Sequence, residues 1–236
     1  MNLILLFQDD FIGDTGLVRL QGRRLRHVLE VHRASAGDEL RVGVLGGRIG
    51  TGSVTLLTQS VLEMDVRLER QPPAKLPLTL ILALPRPKVL RRVLRSVSAL
   101  GVKRIILLNS HRVDKSYWQT PFLNEENVKE QLVLGLEQAR DTVLPEVLLR
   151  PLFKPFVEDE LPGITEGTLP LAAHPGASAP CPRDVKRATT LAIGPEGGFL
   201  PYEMDKLASC GFMPVSIGER ILSVETAVPA LISRLL

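Results

Sequence analysis

Near the carboxyl terminus, Leu191-Ala-Ile-Gly-Pro-Glu-Gly-Gly-Phe199 is followed after a short helical stretch by Val215-Ser-Ile-Gly-Glu-Arg-Ile-Leu222 and then Glu225-Thr-Ala227. Both halves share one plan: an apolar, β-rich run stops at a glycine, a polar loop follows, and helix-forming sequence resumes. Two strand-loop-helix units in succession constrain the chain to an α/β fold. In such sheets ligands sit beyond the carboxyl ends of the strands. Gly194 to Gly198 and Gly218 to Leu222 are therefore expected to line one crevice from two sides.

The loop composition limits what the crevice can hold. Gly194, Gly197 and Gly198 allow main-chain N–H and C=O groups to approach a ligand closely. Glu196 among them would repel a phosphate, and neither G-x-x-x-x-G-K-[ST] nor G-x-G-x-x-G can be read here. A cationic or neutral ligand read by main chain fits better. An ordinary βα turn would explain the first loop alone; the second loop, with Arg220 in it, favours a site.

Ala192-Ile-Gly-Pro-Glu-Gly-Gly-Phe199 with Ser216-Ile-Gly-Glu-Arg-Ile-Leu222 and Glu225-Thr-Ala227 resembles the signature of the ribosomal RNA small subunit methyltransferase E family. The resemblance runs the length of the chain and is weakest between Lys154 and Lys186. It implies a SPOUT-class, knotted methyltransferase domain with a mostly parallel sheet behind an N-terminal PUA-like β-barrel. It also implies S-adenosylmethionine as cofactor, N3 of a uridine in 16S rRNA of the small ribosomal subunit as target, and a homodimer.

Composition bounds the rest. At 236 residues the chain can hold two modest domains. The longest apolar runs, Leu3 to Phe7 and Leu76 to Leu84, are too short for a membrane span, and the first lacks the flanks of a signal peptide. Cys181 and Cys210 suggest neither a disulfide framework nor a metal site. A soluble cytoplasmic protein is expected, with no membrane partner.

Residues 1–72 are β-rich. Leu40 to Leu45, Ile49 to Leu57 and Val61 to Leu68 lie between turn-formers such as Gly37-Asp38 and Gly46-Gly47, which predicts a small barrel. Arg19, Arg23, Arg24, Arg26, His27 and Arg33 crowd one stretch against Glu30 alone. On a helix from Gly22 to Val31 they would present cations outward, suited to RNA phosphates. Any one of them could equally serve a solvated helix face. The family resemblance takes in Arg-x-x-His-Val-Leu here and implies RNA binding.

Gln71-Pro-Pro-Ala-Lys-Leu-Pro77 is a linker, so the second domain is placed at 73–236. Leu78 to Leu84 reads as a parallel strand buried on both faces. In the helix expected from Lys88 to Leu100, Val89, Leu90, Val93, Leu94 and Val97 form the buried face and Lys88, Arg91, Arg92 and Arg95 a basic stripe. From Lys75 through Lys115 the only acid is Asp114, whereas Asn124 to Glu166 is acid-rich. The net charge of +3 thus hides a polarised surface that favours a polyanionic partner. Tyr117 and Trp118 are the obvious aromatic pair, more often core than base platform. Further strands are expected at Val102 to Leu108, Leu169 to Ala173, Thr189 to Ile193 and Met213 to Ile217, about five in the sheet. Helices are expected at Glu125 to Arg140 and Glu225 to Leu236. The last is greasy enough to need cover from its own domain or a second copy.

Methylating a uracil nitrogen requires an in-line methyl, removal of the N3 proton and stabilisation of charge on the base. Arg220 is the candidate for that charge, and Glu196 and Glu225 are the candidates to orient or accept the proton; each acid could instead cap a helix. The cofactor cradle is assigned to Leu84, His174, Pro175, Gly176, Ile193, Gly194, Glu196, Gly197, Gly198, Ser216, Ile217, Gly218, Arg220, Ile221, Leu222, Thr226 and Ala227. His174 as a lone histidine is more often structural than a base.

The family usually has arginine and threonine where this chain has Ser223 and Val224, and further arginines where it has Ala139-Arg140-Asp141-Thr142-Val143. These changes are expected to spare the cofactor loops and to fall on groups facing RNA or substrate. An RNA-binding or ribosome-assembly paralogue that keeps the fold and cofactor pocket, with an altered target or no catalysis, is therefore the alternative. A Rossmann-like small-molecule enzyme would need phosphate-binding glycines after its first strand, where Pro85-Arg-Pro87 stands.

Overall fold

The computed structural model describes residues 2–13 and 15–236. Two compact units are present: the chain up to Ala74 together with Leu132–Leu144, and Lys75–Gln131 together with Pro145–Leu236. The return of Leu132–Leu144 to the first unit is not foreseen by a single boundary at the proline linker.

The first unit contains β1 (Ile4–Leu6), β2 (Leu17–Leu20), α1 (Gly22–His27) running into a π-turn at Val28–His32, β3 (Glu39–Val44), β4 (Ile49–Leu57) and β5 (Leu62–Arg70). The strands form one mixed sheet in the order β1-β3-β4-β5-β2, with β1 parallel to β3. The expected barrel is thus a half-barrel. In β3 the period-2 pattern buries Leu40 and Val42 and leaves Glu39 and Arg41 outside. The buried residues meet Val18, Leu20, Leu25, Val28, Leu62 and Met64 in one core. The β4–β5 register shifts between Ile49 and Gly50 and again between Val54 and Leu56, and at Gly50 a Cβ would lie 1.7 Å from the Arg67 carbonyl oxygen. On another face Val133 and Leu136 pack with Leu3, Leu5 and Ile49.

The second unit contains β6 (Leu78–Ala83), α2 (Pro87–Ala99), β7 (Arg104–Leu108), 3-10 turns at Lys115–Gln119 and Pro121–Leu123, and the start of α3 (Glu125–Ala139). After β8 (Glu146–Arg150), short helical pieces α4 (Phe153–Pro155) and α5 (Leu161–Thr165) flank a π-turn at Phe156–Glu160. The remaining elements are β9 (Leu169–Ala173), β10 (Thr189–Ile193), α6 (Pro201–Ser209), β11 (Met213–Val215) and α7 (Val224–Leu235). All six strands are parallel, in the order β11-β9-β10-β6-β7-β8. Central β10 is buried at every residue, as both-face cover requires.

Two features depart from expectation. The sheet has six strands because β8 joins the edge, and its exposed Glu146 and Leu149 break the apolar run that would announce it. Residues 153–165 are helical although Pro155, Pro162 and Gly163 interrupt the pattern. The apolar face of α7 (Val224, Val228, Leu231, Ile232 and Leu235) is buried, and α2 of the same unit packs against the helix.

Candidate active site

Register places the site. Val215, Ala173 and Ile193, the last residues of β11, β9 and β10, lie side by side, and Ile193 also pairs with Leu82 of β6. Beyond them opens a crevice of about 710 Å³, part of it solvent. Both glycine loops line it as expected, with His174, Pro175, Ile193, Gly194, Glu196, Gly198, Ser216, Ile217, Gly218, Arg220, Ile221, Leu222 and Ala227 all on its wall.

Four assigned residues lie off that wall. Leu84 is buried and spends its N–H on the Leu108 carbonyl. The Gly176 N–H donates to His174 Nδ1 at 3.1 Å, closing a small turn behind the lining. Gly197 faces Arg112. The Thr226 hydroxyl meets that of Ser223 at 3.0 Å in the first turn of α7. Val215, Val224 and Leu231 are apolar lining outside the assigned cradle.

Glycine at 194 is required by close approach: a Cβ there would lie 3.0 Å from Phe199 N and 3.2 Å from its ring. Gly198, with φ +72°, closes a turn by donating its N–H to the Pro195 carbonyl at 2.7 Å. Phe199 is buried against Phe153, ring centres 6.5 Å apart, and anchors the exit of the loop.

The charged groups separate by role. Arg220 stands exposed at the mouth with no carboxylate partner among the described residues. Glu196 accepts the Arg86 N–H at 3.4 Å, with Arg86 Nε 4.0 Å away. Glu225 lies off the wall and accepts from Arg92 Nη1 at 3.0 Å. Arg92 is therefore partly spent, Arg91 lies over the Phe122 ring at 4.9 Å, and Arg95 bonds Gln131 at 2.8 Å. Lys88, Arg91, Arg92 and Arg95 nonetheless share the exposed face of α2.

In the first unit the outward patch is smaller than its sequence suggests. Arg24 is nearly buried, bidentate to Asp10 and stacked on Phe7 at 4.9 Å. Arg23 grips the fully buried Glu137 at 2.8 and 3.1 Å, and Arg19 pairs with Glu63. Arg26 and Arg33 are exposed, and Arg33 sits in the left-handed region at φ 52°. The His27 ring meets His32 edge-on at 5.2 Å. Burial first, then neighbouring positive charge, holds the His27 pKa below its usual value.

The expectation for the departures from the family pattern is corrected too. Asp141 is buried and accepts the N–H groups of Thr142 and Val143, at 2.7 and 3.0 Å, so it caps a turn instead of facing RNA. Val224 lines the crevice itself. Among the described residues no cluster of His, Cys, Asp and Glu could hold a metal, and no helix is long and apolar enough to cross a membrane.

Residues 72–236 match the family described as RNA methyltransferase domain. Over 98% of this chain and 88% of its own length, the ribosomal RNA small subunit methyltransferase E of Treponema pallidum is 31% identical. The crystal structure of the enzyme of that name from Neisseria gonorrhoeae, bound to S-adenosyl methionine, superposes with a TM-score of 0.74 at 22% identity, covering 99% of this chain and 95% of that one. The SpoU methyltransferase AviRb of Streptomyces viridochromogenes, in complex with AdoMet, gives 0.50 at 16% identity over 93% and 89%. At these identities the structural likenesses establish the fold.

Proposed function

The chain belongs to the ribosomal RNA small subunit methyltransferase E family, and from that membership we propose that it methylates N3 of a uridine in 16S rRNA, with S-adenosylmethionine as donor. The observation that carries this reading is the crevice at three in-register strand ends, walled by both glycine loops and open beside Arg220.

The residues present fit the donor. The lining groups Ile193, Val215, Ile217, Leu222 and Leu231 suit a purine face, and the turns at 194–198 and 216–222 offer main-chain donors and acceptors. Glu196 on the wall suits a cationic ligand and disfavours a phosphate. Bound there, the cofactor supplies an electrophilic methyl group on a sulfonium. Arg220 is positioned to stabilise negative charge on a uracil carbonyl as the N3 proton leaves. Glu196 is the acid on the wall to take that proton, whereas Glu225, engaged with Arg92, is a positioning residue for the start of α7. Arg26 and Arg33 in the first unit, and the α2 stripe in the second, supply cations for RNA phosphates. A homodimer is part of the proposal, to be read by sedimentation.

The test is mass mapping of methylated uridines in rRNA from cells with and without the gene, with methylation in vitro by wild type and Arg220→Ala. A uridine that loses its methyl group with the gene, and activity reduced about 100-fold by the variant, are expected. Unchanged rRNA together with intact adenosylmethionine binding would favour a non-catalytic RNA-binding protein.

A further inference from the structure

The cofactor loop is held from behind by a part of the chain that no motif marks. Glu203, in the first turn of α6, is 3% exposed, and both its oxygens are engaged. One accepts the Leu200 N–H at 2.8 Å, closing the turn that follows Phe199. The other accepts the His111 N–H at 2.8 Å, from the loop after β7. One residue on, Arg112 donates through Nη1 to the Gly197 carbonyl. Its stem lies where a side chain at 197 would be, since a Cβ there would come 2.9 Å from Arg112 Cδ. The loop after β7 is fixed in turn: Asn109 donates its N–H to the Arg150 carbonyl at 2.9 Å and accepts from Trp118 Nε1 at 3.0 Å. Val113 N–H closes on Ser110 at 3.0 Å.

We propose that Glu203 and Arg112 are positioning residues that brace the 194–200 loop against the 109–113 loop and so preset the cradle for its ligand. The identity of that ligand rests on the functional reading above; the brace does not. Helix capping explains only one of the two Glu203 bonds. The other crosses to a separate βα loop, where Arg112 returns the contact, so the cofactor loop is tied at both its middle and its end. A loop held this way binds without first losing conformational freedom.

The test compares full-length wild type with Arg112→Gln, Glu203→Gln and the double variant. In the cofactor-free protein, Arg112→Gln is expected to speed amide exchange across Glu196–Phe199 by about tenfold, leaving β10 protected. Glu203→Gln, which sets an amide N–H against a main-chain N–H, is expected to do the same and to deprotect His111. By calorimetry each single variant should weaken adenosylmethionine binding about tenfold, and the double variant little further, because both cut one brace. Exchange across Glu196–Phe199 unchanged in Arg112→Gln would overturn the proposal, as would losses in affinity that multiply to about 100-fold. Arg112 is exposed, so its variant tests the brace even if Glu203→Gln does not fold. Wild type that fails to bind adenosylmethionine would sink the reading of the crevice, and the exchange comparison would still judge the brace.

Discussion

Replacing Arg23 with methionine separates a structural cation from an RNA-binding one. Glu137 is wholly buried, and Arg23 gives it two charge-assisted hydrogen bonds, at 2.8 and 3.1 Å. Removing one partner of a buried pair costs about 3–5 kcal/mol. The Arg23 side chain is 40% exposed, so water screens the pair on one side. We therefore expect a loss of about 2–3 kcal/mol from Arg23→Met. Adding Glu137→Leu removes the stranded carboxylate and should restore stability to within about 1 kcal/mol. Urea unfolding followed by circular dichroism reads these differences, with Arg26→Met as the exposed control. RNA binding measured against salt reads the other side: Arg26→Met should lower the log–log slope by about 0.7–0.9 if it touches a phosphate, and Arg23→Met should not. Should Arg23→Met cost less than about 0.5 kcal/mol, as an exposed pair would, and flatten the salt slope, the assignment of Arg23 to the fold is wrong.

Three further outcomes follow from the geometry. Gly194→Ala drives a Cβ into the Phe199 main chain and ring and should cost about 1–3 kcal/mol with loss of adenosylmethionine binding, while Gly198→Ala, with open space around it, should cost only about 1 kcal/mol of strain; thermal unfolding and calorimetry distinguish them. His27 has a folded pKa below its unfolded value near 6.5, so the folded state resists its charging. Its contribution to stability should be intact above pH 6.5 and diminish as pH falls through that value, and His27→Gln should flatten this part of the stability–pH profile. Glu196→Gln should lower kcat about 100-fold if Glu196 takes the N3 proton, whereas Glu225→Gln should stay within severalfold of wild type because it only loosens an exposed pair; reversed effects would move the proton acceptor to Glu225.

The parts of the fold that could be read in the sequence are those where local pattern and burial agree. Leu169–Ala173 and Thr189–Ile193 have the bounds expected of them, because burial in a parallel sheet keeps Leu171-Ala172 and Leu191-Ala192-Ile193 apolar up to the turn-formers that follow. Helix α2 begins at Pro87, one residue before the expected Lys88, where proline sets the first turn, and the turn after it closes at Gly101 with φ +88°. Where burial is one-sided the signal fades. β8 alternates imperfectly at the sheet edge, and 153–165 is broken by prolines although Phe156, Val157 and Leu161 are fully buried. Nor does any local pattern show that Leu132–Leu144 rejoins the first unit, since that depends on Val133 and Leu136 meeting Leu3, Leu5 and Ile49 from far along the chain.

The same division runs through the site. A cradle made of main chain is legible because it needs glycines at strand ends, and glycines at strand ends are visible in a sequence. Charge is not legible in that way, because what an arginine does depends on which carboxylate the fold brings to it. Arg23, Arg24 and Arg26 look alike within one short helix, yet Asp10 takes Arg24, Glu137 takes Arg23 from 114 residues away, and Arg26 is left to solvent. Glu196 and Glu225 look alike as acids beside the two glycine loops, and Arg86 and Arg92 answer them from the start and the exposed face of α2. Each pairing draws a charge toward a structural role, and the Arg86–Glu196 contact, at 4.0 Å between exposed side chains, is the loosest of them. Arg220, on the crevice wall, has no carboxylate partner among the described residues, and that is the physical reason for proposing that it meets the charge developing on a uracil.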